Sequence, residues 1–209
     1  MKQIILLIFI IFSYVNAYEL KLNKKDISYI KNSPKKSFII NRINKFQTLK
    51  KRVVDYELIR KLSHINSFLN KILPAHDISH KSSEDYWATP KEFLLEGHGD
   101  CEDYAIAKYF SLRELGVPDN KLRITYVTYR RSNSKYEQAH MVLTYYHKPG
   151  ATPIVLDNIN KKLKLATKRP DLKPVYSFNA TGLWQAKNRG SVKVGRNNLR
   201  SWKDLMSRF

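Results

Sequence analysis

The sequence contains one cysteine, Cys101, among its 209 residues. A single thiol excludes a framework of disulfides within the chain, and it excludes zinc or iron–sulfur sites that are built from several cysteines. Glycine and proline are also scarce, at 7 and 8 residues, which excludes collagen-like chains and chains dominated by linkers. Acidic residues number 18 against 38 basic residues, so the net charge is +20. Such an excess ordinarily indicates nucleic acid or an anionic surface as the partner.

A long apolar run occurs near the N-terminus, over residues 4–12. It follows Lys2 and precedes the pattern Val15-x-Ala17, as in a secretory signal peptide, and it is shorter than the about 20 residues that a membrane span requires. We therefore expect residues 1–17 to be a signal peptide, with an uncleaved anchor or a buried strand as the alternative. Export from the cytoplasm argues against nucleic acid as the partner.

Basic residues are concentrated in the two flanks of the chain, over residues 18–60 and 158–209. Residues 61–157 carry equal numbers of acidic and basic side chains, and within them residues 84–103 hold seven acidic residues against Lys91 alone. A phosphate-binding site needs positively charged side chains, and this segment is acidic. An acidic segment in the neutral centre of a basic protein therefore predicts a site for a cation.

The spacing of apolar residues predicts two helices in the centre of the chain. Apolar positions from Leu58 to Ile72 recur with a helical period, and Pro74 ends that helix. Asp100 is a suitable N-cap for a second helix over residues 101–115, because its carboxylate can accept hydrogen bonds from the first free backbone N–H groups. A glycine and a proline directly after residue 115 stop this helix.

The chain then changes to a β pattern. Two alternating runs, over residues 122–129 and 138–146, surround a polar turn, and residues 153–156 form a short third strand. This order predicts an α+β fold in which a helix precedes an antiparallel sheet. The Lys-rich residues 18–56 are expected to form a loosely packed basic arm before a domain that covers residues 57–209.

The candidate chemistry centres on Cys101, at the predicted N-terminus of the second helix. The thiolate is the reactive form of cysteine, and a helix N-terminus with a positive partner lowers the thiol pKa. His140, at the start of a predicted strand, is placed to act as the base, and Asp157, at the end of the next strand, is placed to orient the imidazole. The alternatives are that Cys101 is a small core residue, or that His98 is the base.

Several other residues have patterns of low specificity. His76 and His80 have the spacing of a metal-binding pair on a helix, but a solvated turn is the simpler interpretation beside a proline. Trp87 is interpreted as a core residue, with donation to an oxyanion as the alternative. Gly97 and Gly99 are expected to leave room for a substrate backbone near Cys101.

Five short motifs occur in a fixed order between residues 66 and 184. They are Tyr86-Trp87-Ala88-Thr89-Pro90, Gly99-Asp100-Cys101-Glu102-Asp103-Tyr104, Lys108-Tyr109, His140-Met141-Val142-Leu143 and Leu156-Asp157-Asn158. Together with the spaced Asn66 and Asn70, they resemble the bacterial transglutaminase-like cysteine proteinases of the LapG type. The resemblance implies a transglutaminase/papain-like α+β fold, with the nucleophile at a helix N-terminus packed on an antiparallel sheet that carries the histidine and the aspartate.

The resemblance also implies a calcium site. The calcium carboxylates of the family flank the nucleophile and correspond to Asp100 and Glu102, and Asp103, Asp85 or backbone carbonyl oxygens would complete the shell. Hard oxygen ligands of this kind are the ones that Ca²⁺ prefers. The alternative from the residues alone is that Asp100 and Asp103 only cap the helix.

The function that the resemblance implies is that of a calcium-dependent periplasmic endopeptidase. Cys101 would be the nucleophile, His140 the general acid and base, and Asp157 the orienting carboxylate. The expected substrate is a large repeat-containing surface adhesin, which is cut near its N-terminus at a di-alanine site so that cells leave a biofilm. The expected partner is an inner-membrane receptor for cyclic diguanylate, which sequesters the protease.

Two further functions remain open at this stage. One is a transglutaminase or a cell-wall amidase of the same fold, and the other is a non-catalytic basic binding protein. In either case the basic tail, including Lys168 and Arg169, is expected to be a solvated face that helps the protein to dock on an acidic partner.

Overall fold

The computed structural model describes residues 20–75, 86–132, 134–187 and 190–209. The expected signal peptide at residues 1–17, the pair His76 and His80, and the possible calcium ligand Asp85 lie outside the described residues. The helices are α1 (Lys24–Asn32), α2 (Lys36–Val53), α3 (Leu58–Leu69), α4 (Pro90–Glu96), α5 (Cys101–Glu114) and α6 (Arg200–Met206). The strands are β1 (Leu73–Pro74), β2 (His98–Gly99), β3 (Leu122–Arg130), β4 (Glu137–Tyr145), β5 (Ile154–Leu156), β6 (Lys164–Leu165), β7 (Leu172–Phe178), β8 (Leu183–Ala186) and β9 (Ser191–Gly195).

Seven of these strands form one antiparallel sheet in the order β6-β5-β4-β3-β7-β8-β9. The long strands β3 and β4 form its centre, and Val127 lies opposite His140. β5 pairs with the other side of β4, where Leu156 lies opposite Leu143. The chain therefore leaves β5 at Asp157, next to the strand that carries His140. The short strands β1 and β2 pair separately and in parallel.

The predicted α+β fold is confirmed. The helix predicted over residues 101–115 is α5, and the three predicted strands are β3, β4 and β5. The helix predicted from Leu58 ends at Leu69 rather than at Ile72, because the chain turns at Asn70 and enters β1.

The basic segment before residue 57 is not a loosely packed arm over its described part. It forms α1 and α2, and Phe46, Leu49 and Val53 of α2 are buried in the same core as α3 and α5. These three residues follow the i, i+3, i+7 spacing of a buried helix face. The expectation was wrong because most lysines of α2 occupy its exposed side and dominate its composition. The structure accordingly places no domain boundary at residue 57.

The main core lies between α5 and the sheet. α5 contacts α3 and α4 as well as β3 and β4, and its residues 103–112 are all buried. Trp202 and Leu205 of α6 complete this core from the C-terminal part of the chain. This packing brings the first residue of α5, Cys101, to the start of β4. Among the described helices, none has the length and apolar character needed to cross a bilayer.

Candidate active site

Two glycines position the start of α5. Gly97 ends α4 with a φ of 78°, in the left-handed region that favours glycine, and a Cβ there would lie 2.0 Å from Nη1 of Arg42. At Gly99, a Cβ would lie 2.5 Å from Oδ2 of Asp103. The glycines therefore make room for Arg42 and Asp103, and Gly99 also lines the cleft beside Cys101. The close packing fixes the segment that leads into Cys101.

Asp103 holds that segment in place from inside α5. Its Oδ1 accepts a hydrogen bond from the backbone N–H of Ala88 at 2.8 Å, and its Oδ2 accepts one from the backbone N–H of Asp100 at 3.3 Å. Asp103 is only 4% exposed, so these bonds lie in a dry environment. Asp103 therefore has the capping role that the sequence left open as the alternative to calcium ligation.

Asp100 and Glu102 flank Cys101, and all three are half-buried residues that line one cleft. Their carboxylates supply hard oxygen ligands, but Ca²⁺ takes about six to eight of them. Within the described ranges, no three His, Cys, Asp or Glu side chains converge as a metal cluster. The donor set therefore fits Ca²⁺ if carbonyl oxygens and water complete the shell around these two carboxylates.

The thiol of Cys101 is held in its protonated form. Sγ donates a hydrogen bond to Oε2 of Glu102 at 3.0 Å. Burial raises the pKa of Cys101 well above its ordinary value, and the charges of Glu102 and Asp100 raise it further. A hydrogen bond from the backbone N–H of Met141 acts in the opposite direction. The sequence suggested a lowered pKa at the helix N-terminus, but burial and two adjacent carboxylates outweigh the helix dipole.

His140 and Cys101 line the same cleft, and Met141, whose backbone N–H contacts Cys101, follows His140 directly in β4. The imidazole is 3% exposed, and its Nε2 lies 2.9 Å from Oδ1 of Asp157. Nε2 therefore faces the carboxylate, and Nδ1 is the other ring nitrogen. His98, the alternative base, lies in β2 and is not among the residues that line the cleft.

Asp157 is fully buried, and each of its carboxylate oxygens accepts two hydrogen bonds. Oδ1 accepts from His140 and from the backbone N–H of Ile159 at 2.9 Å, and Oδ2 accepts from Arg169 at 2.7 Å and from the backbone N–H of Asn160 at 3.3 Å. Burial alone would raise the pKa of Asp157, but these hydrogen bonds and the charge of His140 hold it well below its ordinary value. The carboxylate is therefore ionised, and Nε2 of His140 carries the proton in their hydrogen bond.

Two asparagines, Asn66 in α3 and Asn70 directly after it, hold the loop around Asp157. Nδ2 of Asn70 donates to the backbone carbonyl of Asp157 at 2.8 Å, and Nδ2 of Asn66 donates to that of Lys161 at 2.8 Å. Both asparagines are buried. The signal in the sequence was the polar side chain of an asparagine among the apolar positions of a predicted helix. A buried amide needs a hydrogen-bond partner, so such a position indicates a contact with another segment of the chain.

Arg169 was placed on a solvated docking face by the sequence, and this was wrong. The residue is 2% exposed and binds Asp157. Its neighbour Lys168 is exposed, as expected. Composition alone does not show which of two adjacent basic residues is buried. The two side chains point in different directions at the end of a short 3₁₀ turn, and only the fold shows which of them meets the core.

Lys108, on the buried side of α5, is a second cation near Asp157. It is fully buried, and its Nζ has no hydrogen-bond partner among the described residues. Burial lowers the pKa of Lys108 to about 7, although the charge of Asp157 partly opposes this effect. The sequence contained this lysine in one of the five motifs but indicated no role for it.

The cleft at Cys101 has a volume of about 1050 Å³. Its walls follow the strand order of the sheet, from Ile159 beyond β5, past His140 in β4, to Tyr126 in β3 and Tyr176 in β7. The two tyrosine rings stack with centroids 5.1 Å apart. The N-terminus of α6 lines the cleft as well, through Leu199, Arg200 and Ser201. The cleft therefore has the size that is typical of ligand-binding sites in proteins.

Trp87 also lines the cleft, but it is 4% exposed and stacks on Phe178 at 5.5 Å between ring centroids. This agrees with the interpretation of Trp87 as a core residue.

Comparison with known proteins agrees with this geometry. Residues 26–180 match the family described as bacterial transglutaminase-like cysteine proteinase. Solved structures of Legionella pneumophila LapG are similar to the chain over most of its length. The EGTA-treated form is 40% identical, with a TM-score of 0.74 and coverage of 88% of this chain and 95% of that one. The calcium-bound form is also 40% identical, with a TM-score of 0.72 and coverage of 88% and 97%.

No protein of curated function matches the chain. The family match nevertheless covers well over half of the residues, and the solved structures extend the similarity beyond it. A mixed α+β architecture, a lone thiol at a helix N-terminus and a buried histidine–aspartate pair agree with both findings. The chain belongs to the bacterial transglutaminase-like cysteine proteinases.

Proposed function

We propose that this protein is a calcium-dependent periplasmic cysteine endopeptidase with a Cys101–His140–Asp157 triad. The observation that carries the proposal is the buried hydrogen bond from His140 to Asp157, beside a thiol in an open cleft. Cysteine proteinases need this combination, in which a nucleophile lies next to a base that a third group orients. A cysteine that only fills space in the core does not require a histidine–aspartate pair next to it.

The proposed reaction uses the residues as they lie. His140 takes the proton of Cys101 through Nδ1, while Asp157 holds the ring through Nε2 and stabilises its positive charge. The thiolate attacks the scissile carbonyl, and the backbone N–H of Cys101 at the start of α5 is placed to donate to the oxyanion. His140 then returns the proton to the leaving amine, and water hydrolyses the acyl-enzyme by the reverse of these transfers.

We propose that Asp100 and Glu102 hold a Ca²⁺ ion. The calcium-bound structure of Legionella pneumophila LapG supports calcium binding, and the carboxylates on either side of Cys101 are the hard oxygen ligands that calcium prefers. Bound there, the ion would balance the carboxylate charge that raises the pKa of Cys101. Asp103 remains the helix cap, since both its oxygens accept backbone hydrogen bonds.

We propose a large surface adhesin as the substrate, cut near its N-terminus at a di-alanine site so that cells leave a biofilm. An inner-membrane receptor for cyclic diguanylate is the proposed sequestering partner. The LapG-type motifs support both proposals, and the signal-peptide pattern at residues 1–17 supports the periplasmic location. Docking on such large partners is assigned to the exposed lysines of the C-terminal part, such as Lys161, Lys162 and Lys168.

The test is cleavage of the N-terminal part of the adhesin encoded in the same genome, with mass spectrometry of the products. We expect two peptides separated at an Ala-Ala site, with cleavage lost in EGTA and restored by Ca²⁺. Incorporation of an added primary amine at a glutamine side chain, without peptide-bond cleavage, would indicate a transglutaminase instead. Binding of the adhesin without any product would indicate a non-catalytic binding protein.

A further inference from the structure

A buried guanidinium lies behind the carboxylate that orients His140. Nη2 of Arg169 donates to Oδ2 of Asp157 at 2.7 Å, on the opposite carboxylate oxygen from the one that accepts the imidazole N–H. The side chains of Arg169 and Asp157 are 1% and 0% exposed. A charge-assisted hydrogen bond in such a dry site is stronger and more directional than one at the surface.

Asp171 holds the guanidinium itself. Nε of Arg169 donates to both oxygens of Asp171, at 2.9 and 3.1 Å, and Nη2 donates to Oδ2 of Asp171 at 2.6 Å. The backbone N–H of Arg130, at the end of β3, donates to the carbonyl of Asp171 at 2.9 Å. The guanidinium therefore bridges two carboxylates and is tied to the central strand of the sheet.

This arrangement determines the orientation of the Asp157 carboxylate. Backbone N–H groups of the loop that follows Asp157 donate to both carboxylate oxygens. In addition, the side chain of His140 binds Oδ1, and that of Arg169 binds Oδ2. A planar guanidinium has donors in a fixed fork, so it can serve two carboxylates at once, whereas an ammonium group is a point charge without that geometry.

We infer that Arg169 is a positioning residue of the active site, which sets the Asp157 carboxylate so that its Oδ1 meets the imidazole of His140. The inference rests on the proposed triad. Arg169 does not line the cleft at Cys101, so it acts only through Asp157. A loosened carboxylate would allow the imidazole to turn away from the thiol, and displacements of about 1 Å in such sites cost up to about a hundredfold in rate.

The experiment compares Arg169→Met, Arg169→Lys and Asp171→Asn in the calcium-loaded full chain. Lys148→Met is the control, because this lysine is exposed and has no part in the site or in docking. We expect Arg169→Met to lower kcat by about 10- to 100-fold with little change in KM. Arg169→Lys keeps the charge but loses the fork, so it should recover part of kcat. Asp171→Asn should have a smaller effect, and Lys148→Met should have none.

The pH dependence separates positioning from a purely structural role. Arg169 helps to keep the pKa of Asp157 low, so its removal raises that pKa. The ionised form of Asp157, which orients His140, is lost as the pH falls through the pKa of this carboxyl group. A higher pKa in Arg169→Met should therefore move the acid limb of the kcat/KM profile to higher pH. A second readout needs no activity. The proton on Nε2 of His140 should give a downfield NMR resonance in the wild type and in Lys148→Met, and this resonance should shift or disappear in Arg169→Met.

Folded Arg169→Met or Arg169→Lys with the kcat, pH profile and His140 resonance of the wild type would overturn the inference. If Arg169→Met does not fold, Arg169→Lys and Asp171→Asn decide by the same readouts. A wild-type protein that cleaves nothing would contradict the proposed function, and the NMR comparison would still test whether Arg169 positions Asp157.

Discussion

Sγ of Cys101 lies 3.0 Å from Oε2 of Glu102, so the reactive thiol hydrogen-bonds to the carboxylate of the next residue. A free carboxylate in this position stabilises the thiol and opposes the thiolate, as the raised pKa of Cys101 reflects. The residue that the family motif assigns to calcium is thus the residue that restrains the proposed nucleophile. This contact would give the proposed calcium dependence a simple physical basis.

Calcium should therefore be required for both activity and full stability. We expect EGTA to abolish cleavage reversibly, and Ca²⁺ to restore it better than Mg²⁺, whose small octahedral shell suits this carboxylate pair poorly. A ligand that binds only the folded state stabilises it by about 2.7 kcal/mol at a hundredfold excess over its Kd. Calorimetry with and without EGTA should show this as a higher Tm with calcium.

The test variant combines Asp100→Asn with Glu102→Gln, which removes two charges but little volume. The control is Glu137→Gln, which removes the charge of an exposed carboxylate in β4. We expect the double variant to lose the calcium-dependent Tm shift and Glu137→Gln to keep it. A wild type that shows no shift and cleaves normally in EGTA would mean that Asp100 and Glu102 are not calcium ligands.

The three triad residues should act as a unit. Cys101→Ala, His140→Gln and Asp157→Asn should each lower peptide cleavage by about a thousandfold or more, and the triple variant should be little worse than Cys101→Ala. His147→Gln is the control, because His147 is an exposed histidine just beyond β4. Initial rates on one peptide measure the effect, and circular dichroism shows that the variants are folded. Substantial cleavage by Cys101→Ala would contradict the mechanism.

Lys108→Met should stabilise the protein, most strongly at low pH. The pKa of Lys108 is about 7 in the folded protein, below its ordinary value of 10.5. Between these values the unfolded chain binds a proton that the folded protein does not, so the wild type loses stability as the pH falls from about 10.5 to 7. Methionine removes this cost, which is on the order of a few kcal/mol near pH 7.

Urea unfolding at pH 7 and pH 10 measures this effect. The gain in unfolding free energy should be clearly larger at pH 7. The exposed Lys148→Met is the control and should change little at either pH. An equal gain at both pH values would indicate that improved packing, and not ionisation, is the cause.

The last helix should be essential for stability although it lies beyond the residues that match the family. Trp202 is 4% exposed and stacks on Phe110 with centroids 5.6 Å apart. Trp202→Ala should lower the free energy of unfolding by about 3–5 kcal/mol, because it leaves a cavity in the core. Lys203→Ala, at an exposed position of the same helix, should have an effect within about 0.5 kcal/mol. Similar denaturation curves for both variants would show that α6 does not complete the core.

The local elements and the candidate residues were predictable from the sequence. The start of α5 followed from Asp100 and the spacing of buried residues after it, and the strands followed from β-rich alternating runs. The order of Cys101, His140 and Asp157 along those elements indicated the candidate site, and its catalytic role stays a prediction. The inferences about helices and strands succeed because capping and periodicity depend on residue types at short range.

The environment of each candidate residue was decided by the tertiary structure. Arg169 and Lys168 are equivalent in composition, but packing buries the first against Asp157 and leaves the second in solvent. The helix dipole predicted a low pKa for Cys101, but burial and contact with Glu102 reverse the shift. Burial and charge partners are set by residues far apart in the chain. The sequence by itself therefore determined which groups are present and on which elements, and only the fold decided their exposure, ionisation and partners.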